Sequence, residues 1–325
     1  MNPKEIRIVF MGTPDFAVES LKALVENGYR VVGVITSPDK PAGRGRQLSE
    51  SAIKKYAIQQ NLKILQPEKL KNTEFIAELE SLKADLQIVV AFRMLPEIVW
   101  TMPSLGTFNL HASLLPQYRG AAPLNWAIIN GETETGATTF LLSHEIDTGR
   151  IIFQEKLNIG DNETVGDLHD RMMEIGANLV LKTVDAIVED KIKPVEQDEL
   201  IDQTVRIKQA PKIFKEDCRI DWTRDRESVR NLVRGLSPYP AAWTELEHPD
   251  KAEVLTAKIF AVTRENSSMP AAPGTLQTDG KKFLKIACTD GWLSVTDIQL
   301  SGKKRMKTDE LLRGFHDLGD WRVKM

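Results

Sequence analysis

The run Ile6-Arg7-Ile8-Val9-Phe10-Met11, with the turn Gly12-Thr13-Pro14-Asp15 that follows it, decides the fold class. A short, nearly continuous apolar run predicts a parallel strand that is buried on both faces. A helix is predicted from about Phe16 to Glu26, and a second strand is predicted at Arg30–Thr36. The chain therefore opens as a βαβ unit. The first turn lacks the pattern Gly-x-Gly-x-x-Gly, which argues against a dinucleotide at this position.

The alternation of strands and helices continues to about residue 190. The further predicted elements are strands at Lys63–Gln66, Asp85–Phe92, Phe108–Ala112, Ala137–Leu142 and Arg150–Leu157, and helices at Ser51–Gln60, Glu74–Leu82 and Val165–Asp190. We therefore predict a Rossmann-like α/β domain with a parallel or mixed sheet over residues 1–190. Between its second strand and the next helix lies a long Pro/Gly loop, Ser37–Gln47, which we predict to be a flexible polar finger.

The C-terminal part of the chain has a different pattern. Residues 191–210 lose the periodicity and are predicted to be a linker. A helix at about Arg226–Gly235 is then followed by five strand-like segments separated by turns, at Ala242–Leu246, Leu255–Val262, Gly274–Gln277, Phe283–Ala287 and Leu293–Gln299. This pattern predicts a C-terminal OB-like β-barrel domain over residues 211–325.

Composition excludes several classes of protein. An apolar content of 42% and a charged content of 27% are typical of a folded globular chain. We expect a cytoplasmic protein, because the N-terminus shows no signal-peptide pattern and no segment is long and apolar enough to span a membrane. Cys218 and Cys288 have no metal-ligand spacing, and we expect no bound metal.

Charge is distributed unevenly along the chain. Residues 211–325 contain 20 Lys and Arg against 17 Asp and Glu, whereas residues 1–210 contain 23 against 29. A mildly basic C-terminal third indicates a polyanionic partner, such as a nucleic acid, in that part. Ordinary scatter of charged residues explains the same counts equally well.

Asn109 and His111 lie in a strand-like stretch, Phe108–Ala112, that leads into Ser113-Leu114-Leu115-Pro116-Gln117-Tyr118-Arg119-Gly120. Side chains at positions i and i+2 of a strand share a face, so the amide and the imidazole are predicted to lie side by side. The turn that follows can expose backbone groups to a ligand. An amide donor, a group that titrates near neutrality and an open loop are what acyl transfer requires.

This stretch, with Asp147-Thr148-Gly149 beginning 36 positions after His111, resembles the signature of the 10-formyltetrahydrofolate-dependent formyltransferases. The resemblance implies formyl transfer to an amine, with Asn109, His111 and Asp147 as the catalytic trio. Asn109 would donate to the formyl oxygen, and His111 would stabilise the oxyanion or carry the proton. Asp147 would orient His111 or relay protons through water.

The resemblance also implies 10-formyltetrahydrofolate as co-substrate. The residues that it assigns to the folate site are Ser113, Leu114, Leu115, Pro116, Phe92 and Met94. The loop carrying the last two departs from the family, which commonly has Ala-Tyr-Gly, three residues and Pro where this chain has Ala91-Phe92-Arg93-Met94-Leu95-Pro96.

Segments outside the signature indicate the acceptor. They are similar to the corresponding segments of the family members that act on charged initiator methionyl-tRNA. The segments are Gly12–Ala17, Pro38–Arg46, Ile220–Trp222, Ser237–Trp243 and Gly302–Met306. The resemblance covers nearly the whole chain and implies that the protein binds this tRNA, and we expect it to be a monomer. Residues that we expect to contact tRNA are Lys40, Arg44, Arg46, Lys212, Lys303, Lys304 and Arg305.

Each candidate residue also has a plainer interpretation. A lone His near a strand end is usually structural, an Asp before Thr-Gly commonly opens a turn, and the basic residues are equally typical of solvated loops. Three other functions are consistent with parts of the pattern: formyl transfer to an amino sugar or ribonucleotide, hydrolysis of the formyl cofactor, and RNA binding without catalysis. The inserted loop and the barrel disfavour the first, and the intact trio disfavours the third. A hydrolase would consume the cofactor without any amine acceptor.

Overall fold

The computed structural model describes residues 2–42, 47–201, 204, 206–265 and 271–325. The helices and strands of the described residues are, in chain order, β1 (Ile8–Gly12), α1 (Val18–Glu26), β2 (Val31–Ile35), β3 (Lys40–Ala42), β4 (Gln47–Ser49), α2 (Ala52–Gln59), β5 (Ile64–Leu65), α3 (Thr73–Ser81), β6 (Leu86–Val90), α4 (Glu97–Trp100), β7 (Thr107–His111), β8 (Arg119–Gly120), α5 (Pro123–Ile129), β9 (Glu134–Leu141), β10 (Ile151–Asn158), α6 (Val165–Val188), β11 (Gln209–Ala210), α7 (Arg226–Leu236), β12 (Ala242–Glu247), β13 (Val254–Arg264), β14 (Leu276–Thr278), β15 (Leu284–Cys288), β16 (Gly291–Leu300), β17 (Met306–Lys307), α8 (Thr308–Leu312) and β18 (Arg322–Val323).

The chain forms two compact units that interleave along the sequence. The first comprises the chain up to Gly120, Glu134–Asn158 and His169–Gln209, and the second comprises Ala121–Thr133, Ile159–Leu168 and Ala210–Met325. Most of the segment predicted as a linker, 191–210, thus groups with the first unit. That the catalytic domain ends at residue 190 and the tRNA-binding domain begins after residue 210 stays a prediction.

The first unit is built on a mixed sheet with the strand order β10-β9-β7-β6-β1-β2-β5. The strands from β7 to β5 are parallel, while β9 and β10 run antiparallel to their neighbours. β1 and β6 are buried along their whole length, which explains their nearly continuous apolar sequences. The predicted parallel or mixed α/β sheet is confirmed. Because β7 lies between β6 and β9, its carboxyl end, with His111, is enclosed by neighbouring strands.

The second unit contains a nearly closed antiparallel barrel with the strand order β14-β15-β16-β13-β12-β18, and β17 pairs with β16. Side chains of β12 alternate between buried and half-buried positions, as expected of a strand with one face toward a core. That core includes Trp222, Leu246, Ile259 and Leu293. The predicted barrel is confirmed, and each of the five predicted strands overlaps an observed one.

Two features of the fold differ from the prediction. The loop at Ser37–Gln47 is not irregular throughout, because β3 and β4 pair as an antiparallel ladder with Lys40 opposite Ser49. The predicted helix beginning at Phe16 starts as a 3-10 turn, Asp15–Ala17, and becomes α-helical at Val18. In the part of the chain that the structure describes, no helix combines the length and the apolar character needed to cross a bilayer.

Candidate active site

Asn109 and His111 project from β7 as strand periodicity predicts. Asn109 lies opposite Val89 on one neighbouring strand and Phe140 on the other, and it is half-buried. Its side-chain amide has no hydrogen-bond partner among the described residues. A half-buried amide whose donors are unused is available to a ligand oxygen, because a buried polar group gains most from a partner that completes its hydrogen bonds.

The His111 ring is 6% exposed and is oriented by a backbone carbonyl. Its Nε2 lies 2.9 Å from the carbonyl oxygen of Tyr118. A carbonyl oxygen can only accept, so Nε2 carries the proton that is donated to it. In the neutral ring, Nδ1 is therefore the unprotonated nitrogen and the atom that can accept a proton.

The carboxylate of Asp147 faces Nδ1. Its Oδ2 lies 3.8 Å from Nδ1 of His111, which is beyond hydrogen-bonding distance but close enough for charge attraction. The same Oδ2 accepts a hydrogen bond of 3.0 Å from the backbone N–H of Gly120. The structure thus brings the three predicted catalytic residues to one region, although Tyr118, rather than Asp147, holds the His111 ring by a hydrogen bond.

Three non-glycine residues in loops of the first unit, one of them Asp147 itself, have a strained backbone. Ala91, Tyr118 and Asp147 have φ values of 48°, 61° and 57°, in the left-handed region that non-glycine residues rarely adopt. They lie in the loops that follow β6, β7 and β9. Residues held in this region cost of order 1–3 kcal/mol each and cluster at functional sites.

The predicted folate-site residues from Ser113 to Pro116 form a tight turn whose side chains pack inward. Ser113, Leu115 and Pro116 are buried, Leu114 is half-buried, and the Ser113 hydroxyl donates to the carbonyl oxygen of Gln117 at 2.7 Å. Leu115 packs in a small cluster with Phe140 and Ile151. The groups that this turn can offer to a ligand are therefore mainly those of its backbone.

Phe92 and Met94, the other two predicted folate-site residues, have different environments. Phe92 is half-buried against the core of the first unit, and Met94 is 68% exposed. Arg93 between them reaches away, donating from Nη1 to the carbonyl oxygen of Glu68 at 2.8 Å and from Nη2 to that of Pro67. Burial lowers the pKa of the Arg93 guanidinium from its ordinary value. The Phe-Arg pair in this loop is thus accommodated by a backbone contact with a neighbouring loop.

A cavity of about 580 Å³ lies beside the loop that carries Asp147. It is lined by Trp100, Thr101, Pro103, Gly106, Thr107, Leu141, Leu142, Ser143, His144, Glu145, Thr148, Gly149, Arg150 and Glu196, and we call it the Trp100 cavity. Its volume lies in the range of about 300–1,000 Å³ that small-molecule sites occupy. None of the six predicted folate-site residues lines it. Its lining was not predicted, because only Thr148 and Gly149 of it belong to a recognisable motif and the other residues come from segments that carry none.

Comparison with known proteins gives the family. The model of the formyl transferase family matches residues 6–184, and that of the formyl transferase C-terminal domain matches residues 212–316. A protein from Bacteroides fragilis named methionyl-tRNA formyltransferase is 59% identical over 316 residues, covering 97% of each chain. A relative of the same name from Parabacteroides distasonis is 54% identical over 99% of this chain and all of its own.

The chain belongs to the formyl transferase family. This enzyme family uses formyl-tetrahydrofolate as the formyl donor. Solved structures share the fold of the enzyme at lower identity. An N-formyltransferase from Helicobacter canadensis matches with a TM-score of 0.64 and 20% identity over 93% of this chain and all of that one. HypX from Aquifex aeolicus, solved with tetrahydrofolic acid, matches with a TM-score of 0.63 and 20% identity, and the enzyme spans about half of that chain, 48%.

Three tRNA contacts were predicted in the first unit, and Lys40 is the one that lies among the described residues. Lys40 is exposed at the start of β3. Arg44 and Arg46 lie outside the described residues. In the second unit, Lys212 is exposed, with its Nζ 5.4 Å from the ring centre of Phe214, which is itself 58% exposed.

The basic cluster Lys303, Lys304 and Arg305 is partly engaged within the second unit. Lys303 places its Nζ 5.5 Å from the ring centre of Phe315, and Lys304 pairs with Glu310 at 3.3 Å. The Arg305 guanidinium makes two hydrogen bonds to Asp297, of 3.0 and 2.8 Å. The geometry gives Arg305 a role in the fold of the barrel that the sequence did not predict, and its contact with tRNA stays a prediction.

The second unit also brings basic side chains next to the aromatic ring of Trp243. Lys215 Nζ and the Arg219 guanidinium lie 5.5 and 5.8 Å from the Trp243 ring centre. With Lys212 and Phe214 they form a surface that we call the Trp243 surface. Positive charge next to stackable rings is typical of surfaces that bind single-stranded nucleic acid. In the sequence, the basic residues between Lys212 and Arg219 indicate such a surface. The ring that they contact, Trp243, is distant along the chain, so the sequence does not show the pairing.

Proposed function

We propose that this enzyme transfers the formyl group of 10-formyltetrahydrofolate to the amino group of methionine on charged initiator tRNA, giving N-formylmethionyl-tRNA for translation initiation. The observation that carries the proposal is the 59% identity, over 97% of both chains, to a protein named methionyl-tRNA formyltransferase. The clustering of Asn109, His111 and Asp147 supports it, because the three side chains have the chemistry that formyl transfer to an amine requires.

Formyl transfer forms a bond between the amine nitrogen and the formyl carbon and breaks the bond between that carbon and N10 of the donor. One proton leaves the amine and one reaches N10. The free amide of Asn109 donates a hydrogen bond to the formyl oxygen as negative charge develops on it. Nδ1 of His111 accepts the amine proton, because Nε2 already donates to Tyr118. The Asp147 carboxylate, 3.8 Å from Nδ1, stabilises the positive ring that results.

The Trp100 cavity is the part of the described structure that best fits the planar ring of a folate. Trp100 and Leu142 supply apolar surface, and the backbone of Ser143 to Glu145 supplies donors and acceptors for a ring edge. The loop that lines the cavity also carries Asp147, so a ring bound there lies close to the trio. When bound, 10-formyltetrahydrofolate supplies an activated formyl group on N10. Ser113 to Pro116, Phe92 and Met94 remain proposed contacts for the rest of the cofactor.

The acceptor tRNA would meet basic residues in both units. Lys40 at the start of β3 is a proposed contact, together with Arg44 and Arg46, which lie outside the described residues. Lys212, Lys303, Lys304 and Arg305 are proposed contacts with phosphates from the second unit. The Trp243 surface adds rings on which an unpaired base can stack. We propose that the enzyme acts as a cytoplasmic monomer, with residues 1–190 catalytic, 191–210 as a linker and 211–325 binding tRNA.

The test is transfer of labelled formyl from 10-formyltetrahydrofolate to purified Met-charged initiator tRNA. Elongator Met-tRNA, a sugar amine and a reaction without acceptor run beside it, with Asn109→Ala and His111→Ala variants. We expect transfer confined to initiator Met-tRNA, reduced at least about 100-fold by either substitution. Transfer to the sugar amine, or loss of cofactor without an acceptor, would overturn the assignment of the substrate.

A further inference from the structure

Gln197 is a buried polar residue that bridges two segments beside the catalytic trio. It lies in a short 3-10 turn, Gln197–Leu200, and is 2% exposed. Its Nε2 donates to the carbonyl oxygens of Asp147 and Gly149, at 2.8 and 2.9 Å. Its Oε1 accepts from Nε and Nη2 of Arg119, at 3.0 and 2.6 Å. The side chain thus connects Arg119 of the formyltransferase signature to the loop that carries Asp147.

Every hydrogen-bonding position of the Gln197 amide is used. A side-chain amide has two N–H donors and two lone pairs on oxygen, and the four bonds above account for all of them. The partners also fix which way the amide points, because carbonyl oxygens only accept and a guanidinium only donates. A fully satisfied buried amide is a rigid connection, and no other residue type of this size can replace all four bonds.

The bonds from Gln197 hold the loop by its backbone on both sides of Thr148. Asp147 has a φ of 57°, a conformation that persists only where the surroundings enforce it. The Gly120 N–H, next in the chain to Arg119, holds the Asp147 carboxylate itself at 3.0 Å. The segment leading to Gln197 is anchored in turn, because Val195 and Ile151 exchange backbone hydrogen bonds of 2.9 and 2.8 Å.

We propose that Gln197 is a positioning residue, which holds the Asp147–Gly149 loop so that the Asp147 carboxylate faces His111, and that Arg119 fixes the orientation of the Gln197 amide. The inference rests on the proposed function, since it takes Asp147 and His111 as the groups that manage the proton. Among the described residues, the Gln197 amide hydrogen-bonds to the backbone of the loop and to the Arg119 guanidinium, so it acts through Asp147 rather than on the substrate.

Gln197→Glu is the sharpest test, because it keeps the shape of the side chain and its bonds to Arg119. The carboxylate, however, places an oxygen against two carbonyl oxygens and cannot donate to them. We expect kcat to fall about 10- to 100-fold with KM for both substrates nearly unchanged. We also expect the NMR signals of the His111 ring to move in the same direction as in Asp147→Asn. Glu199→Gln, an exposed neighbour in the same turn, is the matched control and should leave both unchanged.

A role of Gln197 in the fold alone would lower the melting temperature but leave kcat per active site and the His111 signals as in the wild type, and that result overturns the proposal. Should Gln197→Glu fail to fold, Arg119→Gln decides. It leaves Gln197 its bonds to the loop, and we expect kcat about 3- to 10-fold lower with the same displacement of the His111 signals. Unchanged values would overturn the proposal equally. Failure of the proposed function is distinct, because the wild type itself would then transfer no formyl group to initiator Met-tRNA, whatever residue stands at position 197.

Discussion

Removing the Arg305 guanidinium should destabilise the second unit at neutral pH. Asp297 lies in β16 with its side chain 10% exposed, and Arg305 donates two hydrogen bonds to it. Burial works to raise the pKa of Asp297, but the hydrogen bonds and charges of Arg305 and Lys307 outweigh burial and hold that pKa below its ordinary value. The carboxylate is therefore charged at neutral pH and depends on these partners.

The expected loss follows from what remains after Arg305→Ala. Leaving a wholly buried carboxylate without a partner would cost about 3–5 kcal/mol. Lys307 remains 3.4 Å from the carboxylate, and the Arg305 side chain is itself 44% exposed, so water can reach the freed oxygens. We expect a loss of about 2 kcal/mol, which lowers the melting temperature of a domain of 100–150 residues by about 8 °C.

The pH dependence has a definite sign. Because the pKa of Asp297 is lower in the folded state, the stabilisation is complete above the unfolded value of about 4 and is lost as pH falls through the folded value. The difference in the free energy of unfolding between wild type and Arg305→Ala should therefore be full at pH 7 and shrink below about pH 4. Thermal and urea denaturation followed by circular dichroism measure it.

Two further variants complete the experiment. Lys304→Ala removes a neighbouring cation whose side chain is 78% exposed, and it should change the free energy of unfolding by no more than about 0.5 kcal/mol. Asp297→Asn added to Arg305→Ala removes the unpaired charge and should recover most of the loss. If the double variant regains its stability but binds tRNA more weakly than the wild type does, Arg305 also contacts tRNA. Equal stability of wild type and Arg305→Ala at pH 7, or a difference as large at pH 3 as at pH 7, would refute the reasoning.

Three other predictions concern the loop of Asp147, the tRNA surface and the thiols. A Cβ at Gly149 would lie 1.7 Å from the carbonyl oxygen of Leu141, so Gly149→Ala must displace the loop. We therefore expect kcat for formyl transfer to fall at least about 10-fold, and an unchanged kcat would contradict this. Phe214→Ala should weaken tRNA binding by about 1–3 kcal/mol in a filter-binding assay without changing the melting temperature, because the ring is 58% exposed, and unchanged affinity would remove Phe214 from the interface. Burial raises the pKa of the Cys288 thiol to about 12, so iodoacetamide at pH 8 should label this thiol only after denaturation. Mass spectrometry can check the labelling, and rapid labelling of the native enzyme would be inconsistent with that burial.

Much of the fold was predictable because strand burial leaves a periodic trace. The continuous apolar runs of β1 and β6 follow from burial on both faces, and the alternation of β12 follows from burial on one. The short strands β17 and β18, of two residues each, were not predicted, since so few residues carry no period. The pairing of β3 with β4 was missed because Pro and Gly dominate that stretch and predict a loop.

The sequence by itself determined the α/β class, the barrel and the adjacency of Asn109 and His111, because periods of two and 3.6 are local properties of the chain. Only the tertiary structure decided what holds these groups in place. The Tyr118 carbonyl that orients His111 is a backbone atom, which every residue has, so no pattern of side chains marks it. Gln197 lies 50 positions from Asp147 in a segment without periodicity, and its contacts exist only because the fold brings distant segments together.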